Sequence, residues 1–324
     1  MKFISDAYTR SRMLPVVLNC LLCVQLSVVD GSAILFSFTG DPAYHTSAPT
    51  GTLSGSGWEY EGSWGSYLGT AISPSHFITA THVYGSVGDV FVYNGNSYTT
   101  IAKHVSAFSD LTIWEVQGSF ASYAPLYTGI DEWGKDLIVF GRGTQRGAAI
   151  TVGSEEKGWR WGQSDGVQRW GQNTVSGIAS GGATLGQFLV ADFDRDAGKN
   201  EAHLSRGDSG GGVFIQDEGI WKLAGINYAV DGPFSLNGTT GSGFDAALYD
   251  AGGLYYYANG TWHLREDQSQ DIATSFYATR ISSNQTWIQS IVAVPETEYA
   301  TTAACVGLAV FAAWCQRGQR QRPT

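Results

Sequence analysis

Cysteine is scarce in this chain: four in 324 residues, all of them near the ends. Cys20 and Cys23 lie in an apolar leader, Cys305 and Cys315 in an apolar tail, and residues 34–293 have none. The C-x-x-C spacing of the first pair, inside such a leader, makes neither a redox site nor a zinc site. No disulfide stabilises the central region, which must hold itself together by burial. Its 260 residues suffice for one large core or two medium ones. Basic residues are also few there. Six of the 19 Lys and Arg and four of the 29 Asp and Glu lie outside it, which leaves 13 against 25 and a net charge of −12. No basic stripe exists to hold a phosphate backbone, which argues against a nucleic-acid partner. Long helical periodicity and repeats of domain size are missing as well. The short recurrence of Arg160-Trp161-Gly162-Gln163 as Arg169-Trp170-Gly171-Gln172 reads as paired strands or a loop device.

Long apolar runs occur only at the two ends. Residues 1–33 read as a secretory signal peptide. Lys2, Arg10 and Arg12 are followed by an apolar stretch from Met13 to about Val29, and Gly31-Ser32-Ala33 offers small residues for cleavage. The central region is therefore expected to be exported. At the other end, Val294-Pro295-Glu296-Thr297 precedes an apolar run from Tyr299 to Cys315, then Arg317, Arg320 and Arg322. This layout is similar to a PEP-CTERM sorting signal, with Thr297 standing where that pattern has a second proline. The resemblance implies a sorting tail over 294–324 with a transmembrane segment, and an exosortase-type processing enzyme as partner. It also implies a cell envelope or surface location in a bacterium. A plain C-terminal membrane anchor is the alternative. Either way the membrane is met only through the terminal segments.

What the central region has in quantity is Gly, Ser, Thr and aromatics, with short apolar runs bounded by turn residues. That spacing predicts an all-β sandwich or barrel. Val90-Phe91-Val92-Tyr93 and Tyr98-Thr99-Thr100-Ile101 flank Asn94-Gly95, a hairpin signature. Val213-Phe214-Ile215 and Trp221 to Ile226, around Asp217-Glu218-Gly219, predict another. One helix is predicted, over Ser282–Val292. Ser282 and Gln285 form a capping-box pattern, and Trp287, Ile288, Ile291 and Val292 share a face.

Three segments carry chemistry: Phe77-Ile78-Thr79-Ala80-Thr81-His82-Val83, Ser109-Asp110-Leu111-Thr112-Ile113, and Ser205-Arg206-Gly207-Asp208-Ser209-Gly210-Gly211-Gly212-Val213-Phe214. A serine hydroxyl is a weak nucleophile; it needs a base within reach, and the base needs a partner to set its tautomer. Singly, each segment is ordinary: Asp110 a turn residue, His82 a packing residue, Gly-Asp-Ser-Gly-Gly a flexible turn. Together, in the order His, Asp, Ser with separations of 28 and 99 residues, they resemble the chymotrypsin/trypsin superfamily of serine endopeptidases. Tyr277-x-x-Arg280-Ile281 before Trp287-Ile288-Gln289 resembles the end of such a domain, so the resemblance runs from about Gly69 to Val292.

The resemblance implies two six-stranded antiparallel β-barrels with a C-terminal α-helix, and a site in the cleft between them. The first barrel is expected over 34–134 with His82 and Asp110, the second over 135–293 with Ser209. It implies cleavage of a protein or peptide substrate through an acyl-enzyme, with no cofactor and no metal. Ser209 would attack, His82 would carry the proton, and Asp110 would hold the imidazole. Backbone N–H groups of Gly207 and Ser209 would form the oxyanion hole. His203 falls at the base of the superfamily's primary specificity pocket, to favour an acidic side chain or to form the wall. Tyr228, Ala229 and Val230 fall where the substrate backbone pairs. In animal members a newly cut N-terminal Ile pairs with the Asp before the nucleophile; cleavage after Ala33 would expose Ile34 to Asp208.

Other readings compete. The run around Ser209 also fits Gly-x-Ser-x-Gly, the elbow of an α/β-hydrolase esterase. That reading needs a helix after the serine and an acid and histidine downstream, where only His263 stands. A surface binding or adhesion module that keeps the fold without turnover is the alternative from another class. Asp192, Asp194 and Asp196, with Gly198, Asn200 and Glu201, suggest calcium, but Ala197 and Glu201 depart from the EF-hand positions, which favours a solvated acidic loop. Asn237, Asn259 and Asn284 match glycosylation acceptors and are expected bare in a bacterium.

Overall fold

The computed structural model describes residues 34–292. The expected leader at 1–33 and sorting tail at 294–324 lie outside the described residues. No helix among the described residues is long and apolar enough to cross a membrane.

The chain is all-β with a short C-terminal helix. Six antiparallel strands close a barrel in the order Glu61–Trp64, Tyr67–Ser73, His76–Ala80, Leu111–Val116, Asn96–Val105, Val90–Tyr93. The predicted hairpin forms its turn. Asn94 and Gly95 both have positive φ, 49° and 74°, as a two-residue turn that follows the strand twist requires. Tyr93 then pairs with Asn96, so the second strand begins two residues earlier than its apolar pattern suggests. One end of the barrel is filled with aromatics. Phe77 stacks on Phe91 at 3.9 Å and 6°, beside Trp64 and Trp114, all almost fully buried. Each such ring contributes about 1.5–3 kcal/mol by leaving water.

The second unit is a seven-stranded antiparallel sheet in the order Arg169–Thr174, Asp136–Gly141, Gly212–Asp217, Ile220–Val230, Ser275–Arg280, Gln187–Asp192, Gly177–Ser180. It has one strand more than the expected six, because Gly177–Ser180 folds back on the edge of Gln187–Asp192. Two three-stranded sheets flank it, one with Thr144–Val152, Glu155–Ser164 and Ala246–Leu248, the other with Phe234–Ser235, Tyr255–Ala258 and Thr261–Leu264. The two Arg-Trp-Gly-Gln runs therefore do not pair. They lie in different sheets, with Trp170 under His45 at 3.5 Å and Trp161 in the other sheet.

One apolar cluster crosses between the units and fixes how they meet. Leu68, Ile78 and Leu111 of the barrel pack with Phe140, Phe214 and Leu223 of the sheet and with Ile288 of the helix. The helix itself runs Gln285–Val292 after a 3-10 turn at Ser282–Asn284. The capping box does not form. Ser282 instead donates its hydroxyl to the buried carboxylate of Glu132 at 2.7 Å, completing a pair with Arg280. Trp287, Ile291 and Val292 do pack on the shared core, as their spacing predicts. Leu35–Phe36, on the first-barrel side of a division at 134, pairs with Ala202–His203 instead. Ile34 and Phe36 fill an apolar gap beside Leu137 and Ala202 in the second unit.

Candidate active site

Adjacent strand ends bring His82 and Asp110 together. His76–Ala80 and Leu111–Val116 pair with Ala80 opposite Leu111, so the residues just past each end face one another. Thr81 N–H donates to the Asp110 carbonyl at 3.1 Å. His82 N–H donates to Asp110 Oδ1 at 3.2 Å, and Nδ1 lies 2.6 Å from Oδ2. Asp110 has 8% of its side chain exposed and His82 38%, so the carboxylate is covered while the ring opens to solvent. The carboxylate only accepts, so Nδ1 carries the proton and Nε2 is left as an acceptor.

Ser209 arrives from the other unit. Its turn precedes Gly212–Asp217 and presents Oγ 2.8 Å from His82 Nε2. The three side chains named from sequence thus form one hydrogen-bonded line across the two units.

The turn holding Ser209 is braced from three sides. Asp208 is buried, and its Oδ1 accepts the Gly143 N–H at 2.7 Å. Its Oδ2 accepts the N–H and hydroxyl of Ser205 at 2.7 and 3.0 Å. Burial pushes this carboxyl up to about 7, against those hydrogen bonds. In the uncut chain Ile34 is not among these partners; it is fully buried in the second-unit core. The neighbouring strand gives way to Asp208: a Cβ on Gly141 would overlap its Oδ1. From the barrel, Glu61 accepts Thr70 Oγ1 at 2.8 Å and the Gly212 N–H at 3.2 Å. Burial pushes Glu61 up to about 8. From the sheet, Asn227 bonds Gly210 and Gly211 through its backbone.

Gly207 and Ser209, expected to supply an oxyanion hole, donate their N–H groups to no acceptor among the described residues. Gly207 has φ 101°, a conformation that a side chain would strain. Beside Ser209 lies a pocket of about 110 Å³ whose wall includes Trp161, Leu204, Arg206, Asn227, Tyr228 and Val230. Tyr228, Ala229 and Val230 all line it. The Tyr228 ring stands edge-on to His82 at 5.7 Å and stacks on Phe188 at 4.7 Å. Past Ile226 no strand pairs with that edge of Ile220–Val230 among the described residues, because Gly212–Asp217 has already turned toward Ser209.

His203 is not part of this pocket. Its ring is fully buried between Phe193 and Phe276, with Nδ1 bonded to the Leu204 carbonyl at 2.7 Å. Strand alternation turns it inward, leaving Leu204 to line the pocket, and burial holds the imidazole's pKa down. It is therefore a packing residue rather than a pocket base. Arg206 and Trp161 line the pocket in addition, and the sequence reading missed both. Arg206 stood in the Ser209 motif itself; Trp161 stood in the Arg-Trp-Gly-Gln recurrence, which reads as paired strands or a loop device.

The other candidates separate from the site. A strand, not a helix, follows Ser209, and His263 bonds the Ala258 carbonyl in a flanking sheet, which removes the elbow reading. No group of three or more His, Cys, Asp or Glu side chains converges to hold a metal among the described residues. Asp192 accepts the Ser275 hydroxyl, and Glu201 turns inward to the Asp194 N–H and the Asn173 amide. Asn284 is buried against the Arg280 carbonyl, which closes it to glycosylation.

No protein-family model matches the chain, and no curated protein matches it. Among solved structures, it is similar to the passenger domain of the plasmid-encoded toxin, an autotransporter enterotoxin of enteroaggregative Escherichia coli. That alignment covers 67% of this chain and 21% of the other, at 16% identity and TM-score 0.40. It is also similar to neuropsin, a serine protease expressed in the limbic system of mouse brain. Here the alignment covers 73% of this chain and 95% of the other, at 14% identity and TM-score 0.43.

Proposed function

We propose that this chain is an exported serine endopeptidase. The observation that carries the reading is the line Asp110 Oδ2, His82 Nδ1, His82 Nε2, Ser209 Oγ, at 2.6 and 2.8 Å. Ser209 Oγ attacks the scissile carbonyl carbon as its proton passes to His82 Nε2. Asp110 stabilises the imidazolium. The carbonyl oxygen, now an oxyanion, is met by the unspent N–H groups of Gly207 and Ser209. His82 returns its proton to the leaving amine as the C–N bond breaks, leaving an acyl-Ser209 ester. Water, deprotonated by His82, then hydrolyses that ester and frees Ser209. The open edge at Tyr228–Val230 suits an extended peptide that adds as a strand. Export rests on the leader sequence, and surface retention on the tail.

A fluorophosphonate probe tests this, since it modifies only an activated serine. Labelling at Ser209, located by mass spectrometry and lost in His82→Ala, is expected. Folded protein that resists labelling points to a binding module on the same fold.

A further inference from the structure

Asn227 is an oddity of the core. It is 1% exposed, yet its Oδ1 has no partner among the described residues, an unfavourable state for a buried amide. Its Nδ2 is fully used. It donates to the Phe140 carbonyl at 2.7 Å and to the Asp208 carbonyl at 3.0 Å. Its backbone N–H donates to Gly211 at 2.9 Å and its carbonyl accepts from Gly210 at 3.1 Å. One residue thus holds the chain on both sides of Ser209.

The bond to Asp208 has the largest consequence. The Asp208 carbonyl and the Ser209 N–H belong to one peptide unit, which is planar and trans. The two groups point in opposite directions across that plane. Whatever fixes the carbonyl also fixes the aim of the N–H. The Asp208 carbonyl accepts on one side from Asn227 Nδ2 and from Gly211 N–H at 3.3 Å. The Ser209 N–H on the other side is left free of any acceptor among the described residues.

We propose that Asn227 is a positioning residue that aims the Ser209 N–H at the oxyanion by holding the Asp208 carbonyl through their shared peptide plane. The inference rests on the reading of Ser209 as nucleophile. Asn227 touches no reacting atom; it acts through the peptide. A leucine of similar shape keeps the packing and removes the donor. An aspartate keeps the shape and donates only while protonated, because its carboxylate turns oxygen toward two carbonyls.

The test compares wild type with Asn227→Leu and Asn227→Asp, each as the full chain. The measurements are kcat and KM on a peptide ester, affinity for a peptide boronic acid, and melting temperature. The boronic acid forms a tetrahedral adduct on Ser209 and places an oxygen where the oxyanion forms. Losing an oxyanion donor outright removes about 10²–10³ in turnover, and misaiming one removes less. For Asn227→Leu, kcat is expected to fall about tenfold or more with KM within twofold and boronate affinity falling in parallel. For Asn227→Asp, activity relative to wild type is expected to rise as pH is lowered from 8 to 6, as the carboxyl regains its proton. This second variant decides the matter if the leucine variant does not fold. Unchanged kcat in the leucine variant overturns the inference, as does a loss in which kcat and KM shift together. A flat pH ratio in the aspartate variant also overturns it. Wild type that labels at Ser209 while these results fail leaves the peptidase reading standing. Wild type that does not label ends both.

Discussion

Asp208 and Gly143, 65 residues apart, are joined by a 2.7 Å hydrogen bond from the glycine N–H to the buried carboxylate. The bond requires two glycines. A Cβ on Gly143 would stand 2.5 Å from Ser205 Oγ and 2.7 Å from Asp208 Oδ2, and one on Gly141 would overlap Asp208 Oδ1. Gly143→Ala is expected to lower stability by about 1–3 kcal/mol through overpacking. It is also expected to slow Ser209 labelling at least about tenfold, because the displaced carboxylate drags the turn. Urea unfolding and probe labelling check the two effects separately.

Asp208 has its partners inside the fold of the uncut chain, so Ile34 is expected to have no part in its chemistry. Ile34 is fully buried in the second-unit core. Ile34→Ala is expected to cost about 2–5 kcal/mol of stability and to leave the labelling rate per folded molecule unchanged. A rate that collapses while the fold persists would contradict this.

Three buried carboxyls set the pH dependence of stability. Burial pushes Glu61 and Glu201 up to about 8 and Asp208 up to about 7, above their values in an unfolded chain. Between about pH 4 and these values the folded protein keeps protons that the unfolded chain has released. Their stabilising contribution is complete below the unfolded pKa and is lost progressively as pH rises from about 4 through the folded values of about 7 to 8. The melting temperature is expected to decline over that interval. Glu61→Gln is expected to flatten the decline by up to about 1.4 kcal/mol per pH unit, since one proton uptake is removed.

Lys157 ties down the region that precedes the last strand. Its ammonium, 1% exposed, sits 2.5 Å from Asp250 and 3.0 Å from Asp267. Removing the lysine leaves the Asp250 carboxylate buried with only the Gly252 and Ile272 N–H groups, at a cost of about 3–5 kcal/mol. Lys157→Met is expected to lose that much and to open residues 250–272 to limited proteolysis. Adding Asp250→Asn is expected to recover part of the loss, which a double-mutant cycle measures.

Pocket selectivity is expected to follow Arg206, not His203. Arg206 is exposed at the pocket wall, whereas His203 is sealed behind it. Arg206→Gln should reduce kcat/KM about threefold to tenfold on peptides with an acidic residue at the cut, and less on neutral ones. His203→Gln should alter the melting temperature and leave that ratio alone.

Much of this was legible in the chain itself. Period-two apolar runs and the turns Asn94-Gly95 and Glu218-Gly219 specify strands and hairpins through local sterics. The residue types around His82, Asp110 and Ser209 suggest a chemistry, because together they offer a nucleophile, a base and an orienting acid. Helix residues 285–292 show their buried face by spacing alone. The local rule failed at Ser282, where the cap pattern lost to a buried carboxylate 150 residues away.

What only the tertiary structure decided are relations between distant segments. That His203 turns inward depends on the register of a two-residue strand against Leu35 and Phe36. That Asp208 is held by Gly143 and Ser205, and that Asn227 reaches the Asp208 carbonyl, depends on three strands meeting at one turn. The chain by itself determined which residues prefer strand, turn or reactive roles, because those preferences arise within a few residues. Which groups satisfy one another was settled only by packing, because burial penalises a polar atom left without a partner and the fold decides which partners come within reach.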